Sequence, residues 1–126
     1  MATAVDIGTL IVRTPGTVGG RPRIDGTRIR VSDVAISWNK GHSAEEMVDE
    51  IYPGVTLAQA YAALAYYYAN RAEIDREILE YELTGCEGEA ASLRAGDGPP
   101  WLTDEQRRGQ IADLGRTAAL LRSRLE

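Results

Sequence analysis

The sequence predicts a mainly α protein with a small N-terminal β-arm, a helix-turn-helix core and an additional C-terminal helix. Three segments begin with a hydroxyl side chain that is followed three residues later by Glu or Gln, at residues 43–46, 56–59 and 103–106. This capping-box pattern is typical of helix N-termini. Before residue 31 the chain instead places β-branched residues between glycine-rich turns, which indicates short strands.

Composition limits the class of protein. The 126 residues fit one domain, or one small domain plus an extension, and carry a net charge of −5. No apolar run approaches the roughly 20 residues that cross a bilayer, and the first twelve residues lack the basic residues of a signal peptide. A single cysteine, Cys86, and a single histidine, His42, exclude an internal disulfide and a His/Cys metal cluster. We therefore expect a cytoplasmic protein without a metal or cofactor.

The β-arm is expected to have two strands. Residues 7–13 are short and β-branched, and residues 29–31 alternate apolar and charged side chains. Turns are expected between them at Gly19-Gly20 and Asp25-Gly26. At the second turn, Gly26 permits a backbone conformation that other residues avoid, and we expect the Arg28 side chain to bond inward to Asp33 or to a backbone carbonyl.

Helices are expected over residues 33–40, 44–51, 57–83 and 103–126. Ser32 is the predicted N-cap of the first, and Pro53-Gly54 separates the second from the third. In the third, four large apolar side chains share one face by their 3–4 spacing: Leu57, Tyr61, Leu64 and Tyr68. Glycines and prolines predict a loop or linker over 84–102, which gives a first domain of residues 1–83 and a separate last helix.

Charge is divided unevenly along the chain. Residues 1–42 hold six basic and three acidic side chains, a net +3, whereas residues 43–126 hold eight basic and sixteen acidic side chains, a net −8. Such a division indicates an anionic partner for the first segment and a cationic partner for the second. The alternative is that the arginines simply solvate a hairpin, because charge balance concerns partners and not fold.

A short helix, a Pro-Gly turn and a longer helix form a candidate helix-turn-helix over residues 43–70. The first residues of its second helix would enter the major groove, and Thr56 and Gln59 are the candidate base readers. The first turns of this helix have no Lys or Arg, so attraction to phosphate must come from the β-arm. The candidate DNA-binding arginines are Arg21, Arg23, Arg28 and Arg30. A structural helical hairpin without DNA binding is the alternative.

Two apolar features are candidate partner or dimer interfaces. Tyr66, Tyr67 and Tyr68 are consecutive, so on a helix they point in three directions and at least one faces outward or into a partner. In the last helix, Ile111, Leu114, Leu121 and Leu125 follow a narrow stripe that packs against one other helix. Together these stripes favour a homodimer.

Enzymatic activity is not expected. Cys86 lies in an acidic stretch that disfavours a thiolate, and it is far in sequence from His42, so no nucleophile–base pair is identifiable. The glycine-rich residues 16–22 lack the Lys-Ser/Thr of a phosphate-binding P-loop. We therefore predict no catalytic residue.

The sequence resembles the family known as domain of unknown function 433 over roughly residues 7–70. The resemblance depends on Gly20-x-Pro22-x-Ile24-x-Gly26-Thr27-Arg28, followed by the runs at 41–46 and 62–67. It implies a homeodomain-like helix-turn-helix after the β-arm, and a prokaryotic origin. Residues from Thr84 onward lie outside the pattern.

The resemblance also implies a function. Members of this family are often encoded beside PIN-like ribonucleases and are regarded as antitoxins of VapBC-like modules. The expected function is therefore to bind and inhibit such a ribonuclease and to bind operator DNA for autoregulation. The acidic segment fits a basic nuclease and the basic segment fits DNA. The alternative is a protein-interaction module without DNA binding.

Overall fold

The computed structural model describes residues 4–126, and the chain divides into two compact units, one ending at Asp75 and one from Arg76 to Glu126. The fold is mainly α, with a small antiparallel sheet near the N-terminus, as predicted. Across residues 4–126, no helix combines the length and the apolar character needed to span a bilayer.

The β-arm pairs β1 (Ile11–Val12) with β2 (Arg23–Ile24) in antiparallel register, so that Ile11 lies opposite Ile24. Single 3-10 turns occupy Ile7–Thr9 and Val18–Gly20. The predicted second strand at 29–31 is not a strand in the structure, although these residues lie beside β2. There the Ile24 amide donates to the Ile29 carbonyl at 2.8 Å, and Arg23 forms an isolated β-bridge with Arg30. The prediction missed β2 because Pro22 and Asp25-Gly26 on either side of it are turn signals.

Helix α1 (Val31–Asn39) begins earlier than predicted. Ser32 is buried inside the helix and does not cap it. Instead, the Asp33 carboxylate accepts a hydrogen bond from the Arg30 amide at 3.0 Å. The acidic side chain thus satisfies an amide at the start of the helix, which lets Val31 and Val34 enter the core.

The helix-turn-helix has the predicted order. Helix α2 (Ala44–Glu46) continues as one π-helical turn over Met47–Ile51, and α3 covers Leu57–Ala69. The predicted capping serine is confirmed, because Ser43 Oγ accepts from the Glu46 amide at 3.1 Å. The fully buried side chains of this unit come from the β-arm, α1, α2, α3 and the start of the next helix: Ile24, Val31, Val34, Met47, Tyr67 and Ile74. One core therefore fixes α3 against the β-arm and α1.

The expected single helix over 57–83 is two helices. The chain leaves helical geometry at Asn70, where φ is −135° and ψ is 44°, and α4 then covers Arg71–Arg94. The expected loop over 84–102 is wrong in its first half, because α4 continues through Gly85 and Gly88. Glycine in a helix costs only about 1 kcal/mol relative to alanine. Buried Ala90 and Leu93 on the same helix offset that cost.

The second unit is an antiparallel hairpin of α4 and α5 (Asp104–Leu125). At one end Arg107 Nη1 donates to the Leu93 carbonyl at 2.8 Å, and at the other Arg76 Nη1 donates to the Leu125 carbonyl at 2.9 Å. Thr103 caps α5 by accepting from the Gln106 amide at 3.1 Å, as its capping box predicts. The helix on which α5 packs is thus α4 of the same chain.

Candidate interaction surface

Three of the four predicted DNA-binding arginines interact within the protein, and the hydrogen bonds of Arg23 and Arg30 show what two of them do. Arg23 donates from Nη1 to the Thr27 carbonyl at 2.9 Å and from Nη2 to Thr14 Oγ1 at 2.8 Å. Arg30 forms a two-pronged ion pair with Asp33, in which Nε and Nη2 reach the two carboxylate oxygens at 3.3 and 3.2 Å. Both guanidinium groups hold the β-arm and the start of α1 together, so a phosphate would have to compete with these partners.

The other two arginines differ from each other. Arg21 is half-buried and takes part in an interaction within the protein. Arg28 is exposed and, within residues 4–126, has neither a hydrogen bond nor an ion pair. The predicted inward bond of Arg28 is therefore wrong. Arg23 instead donates to the turn at Thr27, and Gly26 has the positive φ of 77° that the turn requires.

The two candidate base readers cap α3. Thr56 Oγ1 accepts from the Gln59 amide at 3.1 Å, and Gln59 Oε1 accepts from the Thr56 amide at 2.8 Å. Bidentate recognition of adenine needs both ends of a glutamine amide. The Gln59 oxygen is already used in the capping box, so base reading would cost the helix one of its N-terminal hydrogen bonds.

Helix α3 exposes an apolar face. Leu57, Tyr61 and Tyr68 are 43%, 49% and 54% exposed, and Ala65 lies exposed between the two tyrosines. Leu64, which the 3–4 spacing predicted to lie on the same face, is instead buried. All thirteen residues of α3 are uncharged. An exposed apolar face of this kind on a helix is typical of a protein contact.

Carboxylates border this face on α2 and its π-helical turn. Tyr61 donates its hydroxyl proton to Glu45 Oε1 at 3.0 Å, and this bond raises the pKa of the Tyr61 phenol. Glu46, Asp49 and Glu50 are exposed beyond Glu45, with no basic residue between them. We call the exposed residues of α3 (Leu57, Tyr61, Ala65, Tyr68) together with these four carboxylates the α2–α3 surface.

The three consecutive tyrosines have three different environments. Tyr67 is 1% exposed, donates its hydroxyl to Asp75 Oδ1 at 2.7 Å and accepts from Asn39 Nδ2 at 3.3 Å. Tyr66 is half-buried and accepts a hydrogen bond from Arg13 at 2.8 Å. Their hydroxyls are therefore used inside the first unit.

Tyr68 is the tyrosine that faces outward. Its hydroxyl accepts from Trp38 Nε1 at 2.8 Å, and the Arg71 guanidinium carbon lies 5.8 Å from the centre of its ring. These two contacts hold an exposed ring in one orientation.

The predicted interface stripe of α5 lies along the hairpin. Leu121 is buried, and Ile111, Leu114 and Leu125 are half-buried. Leu114 lines a groove of about 320 Å³ with residues of both hairpin helices, among them Cys86 and Ala90 of α4. The stripe is thus largely used within the chain, and its half-buried members keep one flank open.

Three residues of the α2–α3 surface, Leu57, Tyr61 and Glu45, were not predicted as contact residues from the sequence. The 3–4 spacing placed Leu57 and Tyr61 on one face of a helix, but it did not select them as contact residues, and it did not select Glu45. The signal that identifies them is the combination of the fully uncharged α3 with the run of acids on α2. An amphipathic helix at the surface of a monomer normally carries charges on its outer side.

Comparison with known proteins gives one family. The model of the family described as "Protein of unknown function (DUF433)" matches residues 11–67. A crystal structure of a DUF433 member protein from Anabaena variabilis is 40% identical, covers 55% of this chain and 67% of its own, and gives a TM-score of 0.51. An uncharacterized protein of Sinorhizobium fredii, y4eO, is 38% identical over 61 residues, which is 48% of this chain but 27% of that relative.

Proposed function

The chain belongs to the DUF433 family, and on that premise and the α2–α3 surface we propose that it is the antitoxin of a type II toxin–antitoxin module. In this role it binds and inhibits a PIN-like ribonuclease in the cytoplasm and is not itself an enzyme. The observation that carries the proposal is the acidic border of that surface, formed by Glu45, Glu46, Asp49 and Glu50. A ribonuclease holds its RNA on basic residues, and these carboxylates complement such a surface.

The direct test is inhibition of the ribonuclease encoded next to this gene. We expect the purified full chain to stop cleavage of a single-stranded RNA at a one-to-one ratio. Reversing charge with Asp49→Lys and Glu50→Lys should weaken inhibition, because both carboxylates are exposed. The matched control reverses two exposed carboxylates of α4, with Glu82→Lys and Glu89→Lys, and should inhibit normally. Full RNA cleavage in the presence of excess wild-type chain contradicts the proposal.

Operator DNA is a second candidate ligand, favoured by the exposed guanidinium of Arg28. DNA binding through the β-arm fits the net +3 of residues 1–42. In a gel shift with the DNA upstream of the gene, Arg28→Ala should lower affinity for every sequence and reduce the salt slope by about one unit. No shift by the wild-type chain would favour the alternative, a protein-interaction module without DNA binding.

A homodimer is also part of the proposal. Ile111, Leu114 and Leu125 remain only half-buried after α4 and α5 pair, so the hairpin has apolar area left for a second copy. Two-fold dimers are the commonest way to cover such area. Light scattering should give the mass of a dimer at about tens of micromolar, the range of a weak dimer. A monomer at that concentration contradicts it.

A further inference from the structure

We propose that α3 is the helix by which the chain docks into its ribonuclease partner. The exposed face of Leu57, Tyr61, Ala65 and Tyr68 occupies an apolar groove of that partner, and the rim of the groove carries basic side chains that meet the carboxylates of α2. This inference rests on the proposed function and names the surface that the partner covers. It also means that the second helix of the helix-turn-helix contacts protein and not DNA bases.

The first argument is the chemistry of α3. A helix that enters the major groove is surrounded by phosphates and needs donors that reach base edges. Helix α3 has no charged side chain, and its two polar candidates, Thr56 and Gln59, are joined in the capping box. The large side chains that α3 exposes are one leucine and two tyrosines. Tyrosine is enriched among the residues that dominate protein–protein binding energy.

The second argument is spacing and order. Positions 57, 61, 65 and 68 follow the i, i+4, i+8, i+11 spacing by which an amphipathic helix lies in a groove. Both tyrosine hydroxyls are already bonded, Tyr61 to Glu45 at 3.0 Å and Tyr68 to Trp38 at 2.8 Å. Rings held in this way lose little conformational entropy when a partner covers them.

The third argument is charge, and it selects the occupant. Glu45 contacts Tyr61 directly, so a partner that covers this ring also meets the carboxylate. A second copy of the chain would bring its own four carboxylates to the same border, and DNA would bring phosphates. Like charges brought together at an interface oppose binding. A partner protein with an apolar groove and a basic rim would bring neither carboxylates nor phosphates to this border, so it would meet no such repulsion.

The test measures binding of the full chain to the purified neighbouring ribonuclease by calorimetry. The double variant Leu57→Ala/Tyr61→Ala removes two anchors, and we expect about a hundred-fold weaker binding. The matched control, Leu120→Ala/Tyr81→Ala, removes the same residue types from exposed positions of α5 and α4 and should bind normally. Circular dichroism establishes that each variant is folded. Should the double variant unfold, Ala65→Arg places a bulky cation on the same face at an exposed position, and it should bind as weakly.

Each outcome separates the inference from the proposed function. If the wild-type chain inhibits the ribonuclease and the folded α3 variants inhibit it equally, the inference is wrong and the function stands. If the α3 variants keep ribonuclease binding but lose the gel shift, α3 contacts DNA and the inference is again wrong. If the wild-type chain neither binds nor inhibits the ribonuclease, the proposed function fails and the inference fails with it.

Discussion

Arg23 is a structural residue of the β-arm. Its guanidinium reaches the Thr27 carbonyl and the Thr14 hydroxyl, and thereby joins the two turns on either side of β2. Hydrogen bonds from a charged group contribute about 1.5–3 kcal/mol. We expect Arg23→Ala to lower the free energy of unfolding by about 2 kcal/mol in urea denaturation.

The control for this prediction is Arg28→Ala. Arg28 is exposed, so its substitution should change the free energy of unfolding by less than about 0.5 kcal/mol. Equal, small effects of the two substitutions would show that Arg23 is not structural and return it to the set of candidate phosphate contacts.

The Glu46 carboxylate makes the stability of the start of α2 depend on pH. Its hydrogen bond with His42 Nδ1, at 3.2 Å, and then the backbone amide of Ser43 lower the pKa of this carboxyl below its usual value. Because the pKa is lowered in the folded protein, the ionised Glu46 contributes its full stabilisation at pH values above the ordinary glutamate pKa. This contribution is lost as the pH falls through the lowered pKa of the folded protein. We expect His42→Ala to raise the pKa of Glu46 in an NMR titration of the side-chain carboxyl carbons. An unchanged titration curve in this variant would contradict the assignment.

At the scale of elements, α4 and α5 are weakened by glycine. Gly85 and Gly88 lie inside α4, and a Cβ at either position would meet open space. We expect Gly85→Ala and Gly88→Ala each to raise the free energy of unfolding by about 0.5–1 kcal/mol in thermal denaturation. Gly96 is the control, because its φ of +94° strains any other residue, so Gly96→Ala should lower the free energy. Destabilisation by the two α4 substitutions would contradict this account.

The capping pattern, which uses only four residues, correctly predicted where three helices begin. All three capping boxes cap helices in the structure, at Ser43, Thr56 and Thr103. The predicted strand over residues 7–13 contains β1, but β2 was missed, because pairing in the β-arm depends on contacts between residues far apart, such as Ile11 and Ile24. The last part of α4, beyond Gly85, was not predicted to be helical. Burial of Ala90 and Leu93 outweighs the low helix propensity of the glycines, and burial cannot be deduced from a short stretch of sequence.

The candidate surface could be predicted only in part. The 3–4 spacing places Leu57, Tyr61 and Leu64 on one side of a helix, but it does not tell which of them faces the core. The structure buries Leu64 and exposes the other two. The roles of Arg23 and Arg30 could not be predicted from the sequence, where both look like ordinary solvated cations. Their partners lie in turns and at the start of a helix, which come together only in the folded chain.

Over the whole molecule, the net charge of −5 affects how fast a basic partner arrives. Opposite charges steer association, and salt screens this attraction. With the ribonuclease immobilised, we expect the association rate to fall about tenfold or more between 50 mM and 500 mM salt. The dissociation rate should change little, because the apolar side chains of α3 are insensitive to screening. A salt effect confined to dissociation would mean that buried ion pairs, and not α3, hold the complex.

The glycines of the hairpin have a consequence for the lifetime of the protein. Gly85 and Gly88 in α4, and Gly109 and Gly115 in α5, lower the helix propensity of the unit that begins at Arg76. Segments of low local stability open first and are cleaved first. Turnover of the free chain by a cellular protease is therefore expected to start in this unit. The helix propensity at these four glycines is therefore expected to affect how long the free chain persists in a cell.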